Sequence, residues 1–368
     1  MNRLNTTQKN DNLIKENTTQ KVYTYFEGFA GIGAQACALH RLEERLTNVR
    51  FECVGISEFD DKPVKAYEAL NGPAKNYGDI TKIDWSLIPH IDILTWSSPC
   101  QDVSTAGKGK GLVKGSNTRS SLAWELMKLL DTKKDDLPSL IIFENVKGIL
   151  QKKHKGTFLE FAKAIEGYGY SVSYQILDAN DHGTAQHRER VFCVAVLSST
   201  AFVFPGPRAD KVVLGDILEK DSSAIPSYNS NNPILRSYNG KRTLRIHNPN
   251  SETGFTLTTK GIGRTEDNYF FRNAFSNEPV VRVTKKFLEA HNISLEDLLQ
   301  ADVRGLTVRE AMRLMGFNHE EIDRLEQSGL CKTDLYKCLG NSICPPVLED
   351  IFETYLKDYG HIDEMSTT

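Results

Sequence analysis

The stretch FEGFAGIGAQA, residues 26–36, decides the fold because it joins three local patterns. A β-rich apolar run, VYTYFEGF (22–29), leads into a glycine-rich turn, and the amphipathic pattern AQACALHRLEERL (34–46) follows. A strand, a tight turn and a helix in this order form the first half of a βαβ unit. The sequence therefore predicts that an α/β domain starts here.

The same alternation continues to about residue 199. Further β-rich runs lie at 51–56, 91–96, 140–145, 170–177 and 191–197. A second helical pattern occupies 120–130, whereas the last two runs have no good helix between them. These patterns predict a doubly wound, mostly parallel, Rossmann-like sheet with ligands at the carboxyl ends of its strands, and a closing β-hairpin.

The glycine-rich turn indicates a cofactor site. Gly31, Gly33 and Ala36 fit the G-x-G-x-x-G/A fingerprint, and Glu58, after the next strand, is placed to accept hydrogen bonds from a ribose diol. Asp79, in YGDI, is a candidate partner for an adenine amino group. The pattern indicates an adenosine-containing cofactor without distinguishing a nicotinamide dinucleotide from S-adenosylmethionine, and a purely structural turn stays an alternative.

The rest of the chain has a different texture. Proline, asparagine and serine are frequent from about 200 to 282, with short possible strands in FTLTT (255–259) and NYFF (268–271). We expect four parts, namely a flexible tail (1–20), a first α/β part (21–200), a smaller irregular β-rich domain (201–303) and a return to the first domain (304–368).

Helical periodicity returns near the end. Thr307 and Glu310 form a capping-box pattern before one helix. In GNSICPPVLEDIFETYL (340–356), Asn341 or Ser342 is the predicted cap of the last helix. The apolar face of that helix comprises Val347, Leu348, Ile351, Phe352 and Tyr355.

Composition excludes several classes of protein. Seven cysteines without a CxxC pair or a disulfide-like spacing favour a reducing, cytoplasmic setting and no metal site. No apolar run approaches membrane-spanning length, and the N-terminus is polar rather than signal-like, so we expect no membrane association. The net charge of −3 hides six basic residues against one acid between 231 and 264, which suits either a polyanion-binding surface or an ordinary solvated one.

Reactive side chains follow the predicted strands. Cys100, in WSSPCQ, comes just after one strand, and Glu144 and Asn145 end another. A carboxyl at the end of an apolar strand is desolvated, which raises its pKa and lets it hold a proton near neutrality. A thiol and a proton-donating carboxyl at one sheet edge suggest covalent attack on an electron-poor ring.

Two arginines complete the candidate chemistry. In QHRER (186–190), Arg188 and Arg190 are two residues apart at the start of a strand. One is placed to enter the crevice and the other to meet a phosphate or carboxylate. Taken singly, each of these groups also fits a core cysteine, a strand-end salt bridge or solvated arginines.

Together, these motifs resemble the DNA (cytosine-5) methyltransferases. The chain has FAGIGA, the acid of SEFD, GDI, PCQ, FENV, QHRER, LTVREAMRLMGF and GNS in the family's order, from residue 22 to 357. The resemblance implies that Cys100 adds to carbon 6 of cytosine while Glu144 protonates or hydrogen-bonds ring nitrogen 3. It further implies that Arg190 contacts the base and Arg188 the DNA backbone, with Gln101 and Asn145 in the same catalytic group.

The resemblance also implies a cofactor and a substrate. S-adenosyl-L-methionine would bind between the residues that match the family's cofactor motifs: Phe29, Gly31, Gly33, Glu58, Phe59, Asp79, Ile80, Pro99, Asn341 and Ser342. The substrate would be a cytosine flipped out of a specific duplex sequence, with residues 102–117 as a mobile loop and 201–303 as the target recognition domain. The DNA-contact candidates are Lys108, Lys110, Lys114, Arg245, Thr258, Thr259, Lys260 and Arg264.

The chain departs from the family pattern at two places. Ser98 precedes Pro99 where phenylalanine is usual, and EGFAG replaces the commoner DLFAG. A tRNA cytosine-5 methyltransferase is the nearest alternative, although the chain lacks the Cys-Phe-Thr signature of those enzymes. A nicotinamide-dependent oxidoreductase and a catalytically silent DNA-binding protein are the others. We expect a monomeric prokaryotic or phage protein that has a restriction endonuclease as a possible functional partner.

Overall fold

A computed structural model describes residues 20–100, 112–115, 119–220, 243–259, 268–273, 275–301 and 303–360. Within these ranges the chain forms a six-stranded sheet covered by helices and a separate four-stranded sheet. No helix in these ranges is long and apolar enough to cross a membrane.

The larger sheet confirms the predicted fold. Its strands are β1 (Lys21–Gly28), β2 (Val49–Ser57), β3 (Ile93–Trp96), β4 (Leu140–Val146), β5 (Ser171–Asp178) and β6 (Glu189–Val196). Their order is β2-β1-β3-β4-β6-β5, in which the first four are parallel and β6 is antiparallel to both β4 and β5. All six predicted strands are present, and the last two form the expected antiparallel pair.

Eleven helices lie in the described residues. They are α1 (Ala34–Arg45), α2 (Asp61–Asn71), α3 (Glu125–Thr132), α4 (Lys152–Glu166), α5 (Leu214–Ile217), α6 (Lys285–Ala290), α7 (Leu295–Ala301), α8 (Val308–Leu314), α9 (His319–Glu326), α10 (Lys332–Asn341) and α11 (Pro345–Asp358). One sheet face packs against α1 and α11, and the other packs against α3 and α4. The helix predicted over 120–130 begins as a 3-10 turn, Ser120–Trp124, before α3.

The four-stranded sheet lies in the region predicted to be irregular and β-rich. Its strands are β7 (Leu244–His247), β8 (Tyr269–Phe271), β9 (Val280–Val283) and β10 (Val303–Gly305), in the order β10-β8-β7-β9. The NYFF prediction is confirmed by β8, whereas FTLTT forms no strand. Residues 254–257 instead run beside Gln186–Arg188, held by hydrogen bonds to that segment.

The C-terminal helices confirm one capping prediction and correct another. Thr307 and Glu310 form the predicted capping box at α8. The cap predicted for the last helix is wrong, because Asn341 ends α10 and Ser342 follows it as C-cap. Two prolines, which need no amide partner, start α11 after Cys344, and the predicted apolar face of this helix is buried.

The unusual Gly28 has a steric reason. A Cβ placed on Gly28 would lie 2.4 Å from Cε3 of Trp96, at the end of the neighbouring strand β3. Trp96 is fully buried and packs edge-on against Phe29, with ring centroids 5.4 Å apart. The indole therefore occupies the space that leucine would take in the commoner DLFAG pattern.

Candidate active site

The ends of four parallel strands create the site. Strands β1, β2, β3 and β4 end at Gly28, Ser57, Trp96 and Val146. Because parallel strands end at the same edge of a sheet, the segments that follow β1, β2 and β3 meet there, next to the end of β4. The strand order reverses between β2 and β3 on either side of β1, which is where a ligand crevice forms in such folds.

The turn after β1 has the conformation that its sequence predicts. Phe29, Gly31 and Gly33 have φ angles of 60°, 57° and 77°, in the left-handed region that glycine tolerates and phenylalanine rarely adopts. A Cβ on Gly33 would lie 2.3 Å from Nδ2 of Asn71, whereas one on Gly31 would meet nothing within 4 Å. The backbone at Gly31 thus faces open space and fits close approach by a ligand.

The acid after β2 is fixed against this turn. Glu58 Oε2 accepts a hydrogen bond from the Gly31 amide at 2.9 Å, and Oε1 accepts one from the Asp60 amide at 2.9 Å. A carboxylate retains further acceptor capacity after two such bonds, so the ribose-diol prediction fits the geometry. Next to it, the Phe59 side chain is 80% exposed. An exposed ring beside a fixed acid suits a nucleoside face.

Asn76 joins two predicted cofactor segments, and the sequence reading missed it. Its Oδ1 accepts from the amides of Glu58 and Gly78, at 3.1 and 2.9 Å, while its Nδ2 donates to the Glu58 carbonyl. Asp79 lies three residues further along the chain, and its Oδ1 accepts hydrogen bonds from the Thr81 amide and hydroxyl. These two hydrogen bonds are the main cause of the lowered pKa of Asp79. The sequence signal that could have identified Asn76 is its place two residues before Gly78-Asp79.

Glu27 is a second group that the sequence reading did not assign. It is fully buried beneath the turn, accepts a hydrogen bond from the Tyr67 hydroxyl at 3.1 Å, and lies near the Ala36 amide in the first turn of α1. Its Oε2 has no hydrogen-bond partner among the described residues. Burial raises the pKa of Glu27 to about 8, against the smaller opposing effect of these hydrogen bonds.

The catalytic candidates meet between β3, β4 and β6. Antiparallel pairing sets Arg190 opposite Val146, and therefore on the same face of the sheet as Glu144. Nε of Arg190 lies 3.3 Å from Oε1 of Glu144, and the two side chains are 17% and 13% exposed. Cys100, partly buried and not in a disulfide, follows β3 in the same crevice.

The charges in this group are coupled. Burial raises the pKa of Cys100, the negative charge of Glu144 raises it further, and Arg190 opposes both effects. Burial likewise raises the pKa of Glu144, while Arg190 and Arg188 lower it. Both shifts therefore favour the protonated form of the group relative to its ordinary pKa, which for Glu144 is the direction that suits a proton donor.

Asn145 holds the segment that carries the thiol. It is 1% exposed, and its Nδ2 donates to the Ser98 carbonyl at 3.1 Å. Its Oδ1 accepts from the Val146 amide, so its side-chain amide already makes a hydrogen bond at each end. The Pro99 carbonyl in turn accepts from the Ser120 hydroxyl at 2.8 Å. Asn145 thus positions the segment Ser98–Cys100 through the Ser98 carbonyl. The other predicted member of the catalytic group, Gln101, lies outside the described residues.

Arg188 does not reach the surface, so its buried position does not support the predicted contact with the DNA backbone, which stays a prediction. It is 3% exposed; Nη1 donates to the Leu257 carbonyl, and Nη2 donates to the carbonyls of Gly340 and Ser342. The side chain of Gln186 makes two further hydrogen bonds: its Oε1 accepts from the Leu257 amide, and its Nε2 donates to the Leu314 carbonyl. These hydrogen bonds join the large sheet, the TLTT segment and the GNS segment. We name this set of hydrogen bonds, made by Arg188 and Gln186, the Arg188 clamp.

The predicted DNA-contact residues are only partly described. Thr258 and Thr259 pack against GNS so closely that a Cβ on Gly340 would lie 2.3 Å from the Thr259 amide nitrogen. Arg245 stacks on Phe255, 4.1 Å from the ring centroid, and Lys114 lies over Trp124. The remaining candidates, Lys108, Lys110, Lys260 and Arg264, lie outside the described residues.

The remaining predicted cofactor residues lie apart from the turn in sequence. Ile80 is 4% exposed and starts a 3-10 turn after Asp79. Asn341 is exposed and Ser342 is partly buried, and both lie beside the Arg188 clamp through the adjoining carbonyls.

Comparison with known families decides the identity. A family model described as C-5 cytosine-specific DNA methylase matches residues 23–357. The chain belongs to this family. It is therefore an enzyme that transfers a methyl group from S-adenosylmethionine to carbon 5 of cytosine, and the oxidoreductase alternative is wrong.

Individual relatives agree with this membership. The type II methyltransferase M2.ScrFI of Lactococcus lactis subsp. cremoris is 31% identical over 391 residues, which cover 90% of this chain and 98% of that protein. The type II methyltransferase M.NlaX of Neisseria lactamica is 32% identical, with coverage of 88% and 93%. Among solved structures, the Entamoeba histolytica methyltransferase EhMeth has a TM-score of 0.68 at 18% identity, covering 92% of this chain and 99% of that one. This last likeness shows the fold alone.

The Glu27→Gln variant tests the buried acid of this methylase. The folded wild type holds a proton on Glu27 up to pH about 8, whereas the unfolded chain loses it near the ordinary glutamate pKa of 4.5. The free energy of unfolding of the wild type should therefore fall as pH rises between these values, at up to about 1.4 kcal/mol per pH unit, and glutamine should abolish this loss. Urea unfolding across that pH range measures it. Glu52→Gln, which changes an exposed side chain on β2, is the control, and parallel pH profiles of all three proteins would contradict the prediction.

Paired arginine variants test the Arg188 clamp. Arg188→Ala leaves three carbonyls without their charged donor and should lower the free energy of unfolding by roughly 3 kcal/mol. Arg190→Ala removes one ion pair at the crevice; it should cost less than Arg188→Ala, because the carboxyl of Glu144 can take up a proton when its partner is lost, but it should greatly reduce methyl transfer. Urea unfolding and transfer of labelled methyl measure the two effects. An Arg188→Ala protein of wild-type stability with weakened DNA affinity would restore the phosphate-contact role.

Proposed function

We propose that Cys100, Glu144 and Arg190 carry the chemistry of this enzyme. The observation that supports them most directly is the Glu144–Arg190 pair beside a partly buried free thiol, at the carboxyl edge of the sheet. The Cys100 thiolate adds to carbon 6 of cytosine while Glu144 supplies a proton or hydrogen bond at ring nitrogen 3. Carbon 5 then becomes nucleophilic, and removal of its proton after methylation releases the thiolate.

The cofactor site is proposed from the turn and its surroundings. The exposed ring of Phe59, the fixed carboxylate of Glu58 and the open backbone at Gly31 suit a nucleoside, with Asp79 placed after them. S-adenosylmethionine supplies the methyl group when it is bound. Glu27 lies near the Ala36 amide and Asn76 accepts a hydrogen bond from the Glu58 amide, so both stabilise the backbone around the proposed cofactor site.

We further propose that residues 201–303 are the target recognition domain, with 1–20 as a tail and 21–200 and 304–368 as the catalytic domain. The four-stranded sheet from Leu244 to Gly305 supports this division. Its last strand, β10, ends at Gly305, two residues beyond the proposed boundary at 303. Cytosine inside a duplex is stacked, so the enzyme must turn it out into the crevice. The basic segment around Arg245 and the loop 102–117 are the proposed DNA contacts.

The biological setting is also a proposal. Relatives named type II methyltransferases come from bacteria, and one orphan methyltransferase, M.SPRI, comes from a Bacillus phage. We propose a monomeric cytoplasmic enzyme of a bacterium or phage, with a restriction endonuclease as functional partner. A tRNA cytosine-5 methyltransferase shares the catalytic residues and is the second candidate substrate class, while a silent DNA-binding protein would leave the Glu144–Arg190 pair without use.

Replacement of the thiol tests both chemistry and substrate. Bisulfite sequencing of DNA from cells expressing the wild type should reveal protected cytosines in one short sequence, and Cys100→Ala should abolish the protection. A duplex with 5-fluorocytosine at that position should form a covalent complex with the wild type only. Cys331→Ala removes an exposed cysteine and should behave as wild type. Unprotected DNA together with methylated tRNA would favour the second candidate.

The Glu144→Gln variant should change two measurements in opposite directions. Methyl transfer should fall on the order of 100-fold or more, because the proton donor at ring nitrogen 3 is lost. Alkylation of Cys100 by iodoacetamide at pH 8–9 should become faster, because the charge that raises the thiol pKa is gone. Mass spectrometry of the Cys100 peptide measures the second effect, with Glu52→Gln as control. Slower alkylation would contradict the proposed coupling.

A further inference from the structure

The glycine turn after β1 has an open side and a closed side. A Cβ on Gly31 would meet nothing within 4 Å, whereas one on Gly33 would lie 2.3 Å from Asn71 Nδ2 and 2.5 Å from the Tyr67 ring. The backbone at Gly31 is therefore open to a ligand, and the backbone at Gly33 is covered by α2. The residues of α2 that cover it lie outside the proposed cofactor contacts.

Asn71 and Tyr67 reach the turn from one face of α2, because residues four apart on a helix are neighbours. Nδ2 of Asn71 donates to the carbonyls of Gly33 and Ile32, at 3.2 and 3.5 Å. The Tyr67 hydroxyl donates to Glu27, near the end of β1, at 3.1 Å. Helix α2 therefore holds both the turn itself and the strand that leads into it.

The side chain of Asn71 is not needed to end its own helix. Gly72, with a φ of 80°, closes α2 through its amide, which donates to the Glu68 carbonyl. At the other end of the Asn71 side chain, Oδ1 accepts from Sγ of Cys37 at 3.3 Å, and this α1 residue is 2% exposed. Both ends of the side-chain amide are therefore bonded to the turn or to the helix that follows it.

The start of α1 depends on such bonds from outside the helix. Its N-cap, Gly33, makes no side-chain cap bond, and its first turn contains no acid. Glycine adopts the left-handed φ of 77° found here without strain, but it also has more alternative conformations than any other residue. Hydrogen bonds to the Gly33 and Ile32 carbonyls exclude those alternatives.

We propose that Asn71 is a positioning residue for the cofactor, which fixes the glycine turn in the conformation that receives S-adenosylmethionine. Cys37 orients the side-chain amide of Asn71 for this task. This inference rests on the proposed cofactor site and deepens it. A turn that is already ordered costs no conformational entropy when the cofactor binds, so loss of Asn71 weakens cofactor binding without touching the reacting atoms.

A matched pair of asparagine variants tests the proposal. Asn71→Asp keeps the shape of the side chain, but a carboxylate has no donor for the two carbonyls. Asn180→Asp is the control, because Nδ2 of Asn180 likewise donates to a carbonyl, that of Thr184, away from the cofactor turn. Isothermal titration without DNA measures the affinity for S-adenosylmethionine and for its demethylated product, S-adenosylhomocysteine. Turnover at saturating cofactor, on the duplex that the wild type methylates, and the thermal midpoint are measured in parallel.

Asn71→Asp should weaken binding of both molecules on the order of 10-fold, which is the loss expected for about one hydrogen bond. Turnover at saturating cofactor should stay at the wild-type value, because a change in binding alone raises KM without lowering kcat. Asn180→Asp should keep the wild-type affinity for both. Cys37→Ala should weaken binding by a smaller factor than Asn71→Asp, and Cys37→Ser, which retains a donor, should restore it.

Three results would overturn the role of Asn71. They are wild-type cofactor affinity in Asn71→Asp, an equal loss of affinity in Asn180→Asp, and a fall in turnover at saturating cofactor with unchanged affinity. Should Asn71→Asp not fold, equal cofactor affinities of Cys37→Ala and Cys37→Ser would overturn the role instead.

A Glu58→Ala variant separates this inference from the proposed cofactor site. Wild-type cofactor affinity in Glu58→Ala would overturn the proposed site, and the role of Asn71 with it. Weakened affinity in Glu58→Ala together with wild-type affinity in Asn71→Asp would overturn the role of Asn71 alone.

Discussion

Parallel pairing of β1 with β2 on one side and β3 on the other is the constraint on which the site depends. It brings three chain segments, distant in sequence, to one edge of the sheet, where the glycine turn, the acid Glu58 and the thiol of Cys100 face a common crevice. The antiparallel strand β6 then enters beside β4 from the opposite direction, so that Arg190 arrives next to Glu144. Any change of register by one residue would exchange Glu144 for Asn145 on that face.

The Arg188 clamp extends this arrangement to the rest of the chain. One buried guanidinium bonds carbonyls of the TLTT and GNS segments, and Gln186 bonds the same TLTT backbone. Its partners are main-chain atoms, so the clamp depends on backbone position more than on the identity of neighbouring side chains. The close approach of Gly340 to Thr259 shows how little space the junction leaves. The clamp therefore joins the segment between β7 and β8 to the start of β6 and to the GNS segment.

Burial controls the protons of the site more than charge pairing does. Desolvation is the largest cause of the raised pKa of Glu27, Glu144 and Cys100 alike. For Glu144 and Cys100 alike, burial favours the protonated form over the ionised form. The charges of Arg190 and, less strongly, Arg188 oppose the rise in pKa of both groups.

The sequence by itself determined the α/β sheet, its six strands, the cofactor turn and the order of the reactive residues, because periodicity and tight-turn glycines are local properties of a chain. It also indicated that Cys100 and Glu144 share an edge, since parallel strands place their ends together. Only the tertiary structure decided that Arg188 is an internal clamp, that Asn145 holds the Ser98 carbonyl, and that Trp96 explains the glycine in EGFAG. These facts depend on contacts between residues far apart in sequence, and side-chain burial and hydrogen-bond partners are not encoded in any local pattern.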